Sequence, residues 1–103
     1  MAGNESVTAL VLGAGVGGLV AAHRLRRSLP AACRVVLVER DERHVFAPSL
    51  LWVMTGQRSV RSISRPFAPL ARKGIEIVRG EIEAIDPVGR SVSVGGRTLT
   101  GDF

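Results

Sequence analysis

The chain has 103 residues, enough for one small domain, and its 46 % hydrophobic content allows a packed core and excludes a disordered polar chain. Three Phe, one Trp and no Tyr leave that core to Val, Leu, Ile and Ala. The formal charge is +5, but the arginines are scattered from Arg24 to Arg97 without a basic stripe interleaved with aromatics, so nucleic acid is not an expected partner.

Met1 to Thr8 lacks the basic head and apolar body of a secretory leader. Val7 and then Ala9-Leu10-Val11-Leu12 form a short continuous apolar run, the pattern of a parallel strand buried on both faces. A glycine-rich turn follows at once. Val16 to Leu29 then reads as a helix, with Leu19, Val20, Ala22 and Leu25 available to face a sheet and His23, Arg24 and Arg27 on another side. Pro30 ends it. Val35-Val36-Leu37-Val38 is a second buried strand closed by Glu39, so residues 7–39 form a βαβ unit with an expected right-handed crossover.

Residues 41–73 are broken by Pro48, Gly56, Pro66 and Pro69. Ser49 to Thr55 predicts a short helix, and Pro69 to Lys73 the end of another, with Gly74 where a helix C-cap belongs. Residues 75–100 carry a third strand, Ile75 to Val78, and then three β-rich stretches: Glu81 to Ile85, Ser91 to Val94, and Thr98 to Thr100. Asp86-Pro87-Val88-Gly89 and Gly95-Gly96 are turn signals between them, which predicts an antiparallel meander. The fold class is therefore α/β: a Rossmann-like βαβ unit with a parallel sheet, plus a C-terminal antiparallel β-meander.

Gly13-x-Gly15-x-x-Gly18 sits after a strand and opens a helix. In that context Gly13 allows a tight turn, Gly15 lets a pyrophosphate approach the backbone, and Gly18 lets helix and strand pack closely. The helix N-terminus adds free N–H groups and the positive end of its dipole. Glu39 lies about 20 residues further on, at the end of the second strand, where a carboxylate accepts hydrogen bonds from ribose hydroxyls. It also repels a 2′-phosphate, which disfavours NADP, an exclusion that Arg40 weakens. The fingerprint alone does not separate FAD from NAD.

The run from Val11 through Gly13, Gly15, Gly18 and Leu19 to Glu39 resembles the N-terminal FAD-binding half of flavoproteins with two dinucleotide-binding domains. His44-Val45-Phe46-Ala47-Pro48-Ser49-Leu50-Leu51-Trp52-Val53-Met54-Thr55-Gly56 resembles the matching segment of sulfide:quinone oxidoreductases. So do Lys73-Gly74-Ile75-Glu76 and Gly80 to Pro87, and type II NADH:quinone dehydrogenases share a similar pattern. The resemblance implies an FAD-dependent oxidoreductase that passes electrons from sulfide or NADH to a quinone. It places the FAD pyrophosphate on Gly13, Gly15, Val16, Gly17 and Gly18, the adenosine ribose on Glu39, and the adenine beside Arg40 and Ile82. It sets Pro48 and Ser49 near the flavin ring. Phe46, Leu51, Trp52 and Met54 are expected in core or interface packing, and His44 in a structural role.

No residue here is assigned to catalysis or to a metal. Cys33 is a single cysteine, so no internal disulfide can form, and its place between the first helix and the second strand does not match the family's redox cysteines. It reads as a small buried side chain. The chain ends at Gly101-Asp102-Phe103, where the family's next parallel strand begins, so the expectation is a truncated piece with an exposed hydrophobic edge at Ala9 to Leu12. No apolar run approaches the roughly 18 residues that span a bilayer. The expected location is cytoplasmic. The resemblance adds peripheral attachment at the inner face of the cell membrane, through C-terminal elements beyond these residues. The other reading is a non-catalytic NAD- or FAD-binding module, or an inactive fragment.

Overall fold

The structure, a computed structural model, describes residues 6–103. The reading of Met1 to Thr8 as lacking a leader therefore lies largely outside the described residues. Strand β1 (Thr8–Leu12) leads into helix α1 (Val16–Ser28) and strand β2 (Arg34–Glu39). β1 and β2 pair in parallel with Leu10 opposite Val36 and Leu12 opposite Val38. The apolar runs thus become neighbouring strands, as their patterning requires.

Strand β2 is the middle of a three-stranded sheet. Its other neighbour is β5 (Ile75–Arg79), also parallel, with Leu37 opposite Ile77. Side chains alternate across a strand, so β2 faces two layers. Val35 and Leu37 point to one side, where they pack with Val11, Ala14, Ala22, Phe67 and Ile75. Val36 and Val38 point to the other and pack with Val92 and Val94. All four β2 residues are essentially removed from water, each contributing about 1.5–3 kcal/mol of apolar burial.

Helix α1 covers the first side with Ala22 fully buried and Leu19, Leu25 and Leu29 against the core. Val20 was expected to face the sheet but is exposed. One residue turns a helix by about 100°, so Val20 cannot share the narrow face of Leu19 and Ala22. Cys33 is buried just before β2, as expected.

The second side is covered by a meander of β6 (Ile82–Asp86), β7 (Ser91–Val94) and β8 (Arg97–Thr100). The β6–β7 turn is fixed by Asp86, whose Oδ1 accepts from the N–H groups of Val88 at 3.1 Å and Gly89 at 3.0 Å. Gly95 and Gly96 form the two-residue β7–β8 loop with φ of 52° and 81°, the double positive φ that tight hairpins use.

Residues between β2 and β5 hold two features the pattern did not predict. Strands β3 (Arg43–Val45) and β4 (Ser64–Pro66) pair antiparallel; three residues are too few to show a period. The predicted short helix is α2 (Leu50–Met54), but its apolar side chains do not enter the core. Phe46, Leu51, Trp52 (42 %) and Met54 (76 %) are exposed, so of the expected core or interface packing the core alternative is corrected. A single five-residue turn carries apolar groups on all sides and cannot bury them all against one neighbour. A 3₁₀ segment, Ala68–Lys73, ends at Gly74, whose φ of 84° is the left-handed C-cap the sequence predicted.

The β1 edge is not bare. The Phe103 N–H donates to the Thr8 carbonyl at 3.3 Å, and the Phe103 carbonyl accepts from Leu10 N–H at 2.9 Å. This is the start of a parallel pairing opposite Ala9. The expected open edge is thus narrowed to the end nearest Leu12.

Arg26 ties the opposite pole together. Its Nη1 donates to the carbonyls of Cys33 at 2.8 Å and Gly74 at 3.3 Å, and its Nη2 to those of Pro30 at 2.6 Å and Leu29 at 3.4 Å. One guanidinium serves the end of α1 and the entries to β2 and β5. Arg26→Ala is expected to lower unfolding free energy by about 1–3 kcal/mol, read as a shift in the urea midpoint. Arg26→Lys should recover only part of it, because an ammonium lacks the fork geometry.

Candidate functional site

The parallel strands end together on one side of the molecule, and their following turns meet there. Gly13 leaves β1 with φ of 91°, a conformation that a side chain disfavours. Its N–H donates to the Val38 carbonyl at 2.8 Å, which fastens the turn to β2. A Cβ at Gly18 would overlap the Gly13 carbonyl oxygen, so the helix packs on the strand only with glycine there. Gly15 is the opposite case: nothing lies within 4 Å of where its Cβ would stand. The space above it is open to a ligand.

Helix α1 then begins at Val16 with no side-chain cap and no acidic residue in its first turn. Its leading N–H groups and dipole are left to act on whatever occupies that space. Val16 and Gly17 are exposed there. This uncapped end of a 13-residue helix, open above Gly15, has the shape and charge that fit a pyrophosphate.

Glu39 closes β2 beside the turn. Its Oε1 accepts from Ala14 N–H at 2.9 Å and its Oε2 from Asp41 N–H at 2.9 Å. A carboxylate has about four acceptor sites, so capacity remains for hydroxyl donors. Partial burial pushes the Glu39 pKa up, but the N–H groups of Asp41, Ala14 and Arg40 and the Arg40 charge together hold it below the usual carboxylate value. It is an anion at neutral pH.

A cleft of about 270 Å³ opens against these groups, lined by Gly13, Val38, Glu39, Arg40, Gly80, Glu81 and Ile82. Four of the residues singled out in the sequence therefore share one cavity: Gly13, Glu39, Arg40 and Ile82. Arg40 is exposed and only 3.9 Å from Asp41 and from Glu81, so its guanidinium is loosely held. Val38, Gly80 and Glu81 were not singled out as site residues. The signal for them is topological: in open α/β sheets ligands bind beyond the carboxyl ends of the strands, and Gly80-Glu81 follows β5 there. Gly80 N–H also donates to the Glu39 carbonyl at 3.0 Å.

Pro48 and Ser49 do not line this cleft. They lie in a 3₁₀ turn, Ala47–Ser49, with Ser49 buried and Pro48 exposed. Ser49 borders a second cleft of about 370 Å³ with His44, Phe46, Arg58, Ser62, Ile63 and Arg65. His44 joins the two regions, with Nδ1 at 3.1 Å from the Ala14 carbonyl oxygen. No helix among the described residues is long and apolar enough to cross a membrane.

Two substitutions test this arrangement. Glu39→Gln puts an amide NH₂ against a backbone N–H and should cost about 1–3 kcal/mol at neutral pH. Because the folded-state pKa of Glu39 is depressed, its stabilisation is fully present above the ordinary carboxylate value and is lost as pH falls through the lower folded value. Wild-type stability should accordingly drop more steeply over that acidic window than that of Glu39→Gln, measured by denaturant titration at a series of pH values. Gly18→Ala should prevent close packing of α1 on β1 and lower the thermal midpoint, with weaker helix signal in circular dichroism.

Residues 11–46 match the family model of the NAD(P)-binding Rossmann-like domain. The chain is 32 % identical over 96 residues to the sulfide-quinone reductase of Aquifex aeolicus, covering 91 % of this chain and 22 % of that protein. It is 34 % identical over 85 residues to a type II NADH:quinone oxidoreductase of Mycobacterium tuberculosis, covering 81 % of this chain and 18 % of that protein. The solved sulfide:quinone oxidoreductase from Aquifex aeolicus superposes with a TM-score of 0.89 at 30 % identity, over 95 % of this chain and 23 % of that one. The chain spans about a fifth of the length of the curated relatives it matches. It has a Rossmann-like fold and resembles the matching fifth of the sulfide:quinone and type II NADH:quinone oxidoreductases.

Proposed function

We propose that these residues grip the adenosine and pyrophosphate of FAD in an oxidoreductase that passes electrons from sulfide or NADH to a quinone. The observation that carries this reading is the shared cleft: the Glu39 carboxylate beside the open glycine turn, with acceptor capacity left over from its backbone contacts, and Arg40 and Ile82 on the same wall. Gly13, Gly15, Val16, Gly17 and Gly18 would hold the pyrophosphate, as their uncapped helix start favours anions. Glu39 would accept from the ribose hydroxyls, and Arg40 and Ile82 would flank the adenine. Pro48 and Ser49 would stand on the flavin side of the turn, by the resemblance of their segment.

When bound, the flavin would supply the two-electron chemistry that carries charge from donor to quinone. The chain's own residues position and exclude; none in the cleft is a redox-active side chain, and Cys33 is buried at the other end of the sheet. The whole protein would work at the membrane surface on the cytoplasmic side, since quinones dissolve in lipid.

The absence of an acid, base or nucleophile in the cleft other than its carboxylates favours a second reading, a dinucleotide module without chemistry. Fluorescence titration with FAD and calorimetry with NAD separate the two. FAD binding that Glu39→Ala weakens roughly ten- to a hundredfold, the scale of lost hydrogen bonds to a charged group, supports the flavoenzyme. Binding of NAD with no binding of FAD would overturn it. For the donor, bleaching of the flavin absorbance by sulfide or by NADH under anaerobic conditions decides between them.

A further inference from the structure

We propose that His44 is a positioning residue that locks the Ala14–Gly15 peptide so that the Gly15 N–H faces the pyrophosphate. The proposal rests on the reading that the glycine turn holds a dinucleotide. The Ala14 carbonyl can only accept a hydrogen bond, so the His44 nitrogen 3.1 Å away, Nδ1, carries the proton and donates. A trans peptide is planar, and its C=O and the next N–H point in opposite directions. Fixing the Ala14 carbonyl on His44 therefore aims the Gly15 N–H away from His44.

Glycine at 13 and 15 makes such a lock necessary. Residues without a Cβ let a peptide rotate at little cost, and Gly13 and Gly15 both flank Ala14. Ala14 is held on three sides. Its side chain is 2 % exposed within the core, its N–H is taken by Glu39, and its carbonyl is taken by His44. Without His44 the N–H and the side chain stay fixed, but the Ala14–Gly15 peptide is free to flip about Gly15.

His44 is itself well placed for this. It lies in β3 opposite Arg65 of β4, and its ring meets Phe67 edge-on at 6.2 Å and 66°. Phe67 belongs to the core under α1. The β3–β4 pair thus serves as a bracket that carries the imidazole to the turn.

The test separates the N–H donor from the ring. His44→Phe keeps an aromatic ring against Phe67 and removes the donor. His44→Asn removes the ring and keeps a donor near the position of Nδ1. The probes are ADP, which has a pyrophosphate, and adenosine, which has none, with hydrogen exchange of the Gly15 and Val16 amides measured without ligand. The expected result for His44→Phe is ADP binding weakened roughly tenfold, about the loss of one good hydrogen bond, adenosine binding unchanged, and faster exchange at the turn. His44→Asn should restore ADP binding and protection. Equal losses for ADP and adenosine, or unchanged ADP binding with unchanged exchange in His44→Phe, would overturn the proposal. Should His44→Phe fail to fold, His44→Leu replaces it as the variant without a donor: ADP binding lost there and kept in His44→Asn supports the proposal, and ADP binding kept in both sinks it. A wild-type protein that binds neither probe defeats the dinucleotide reading instead, while the exchange comparison still judges the lock.

Discussion

Strand β2 is the constraint on which the rest depends. It is six residues long, and four of them, Val35 to Val38, are buried from both sides. One pair holds the helix layer and the other holds the meander. Neither layer has a complete core without it. Its carbonyls also receive the turns of its neighbours: Val38 takes the Gly13 N–H and Glu39 takes that of Gly80. The strand that makes the fold thus also gathers the two turns that wall the cleft.

Glu39 ends that strand, and its register therefore fixes more than packing. A slip of one residue would exchange the two apolar faces and carry the carboxylate away from Ala14. The charge at Glu39 is kept chiefly by short contacts to N–H groups rather than by a strong ion pair; the exposed Arg40 adds the smallest share. Such an anion is bound to its backbone and stays where the strand puts it. It orders the turn and remains open to further donors.

The βαβ unit was legible because its signals are local and redundant. Two apolar runs, a glycine fingerprint, a helix period and a closing carboxylate all agree over residues 7–39. The meander was legible from Asp86 to Gly89 and from Gly95-Gly96, because those turns demand those residues. The segment between β2 and β5 was not. Its strands are three residues long, and whether Trp52 or Met54 is covered depends on what lies beside α2 in space. Within the site, the glycines, Glu39, Arg40 and Ile82 could be read from motif and resemblance. Gly80 and Glu81 needed the sheet order, and the reach of His44 to Ala14 spans 30 residues with no pattern to announce it.

Arg26 gives the molecule a second pole. Its four carbonyl contacts gather the end of α1 and the starts of β2 and β5, while the glycine turn, Glu39 and Gly80 gather at the far ends of the same strands. The length of the sheet keeps the two clusters apart. One end gathers the frame and the other carries the candidate cleft. A change at Arg26 acts on the frame at a distance from the cleft, whereas a change at Glu39 acts on both, because one carboxylate fastens the turn and lines the cleft. The coupling thus runs one way along the sheet: the Arg26 end can be altered without touching the cleft, but the cleft end cannot be altered without touching the frame.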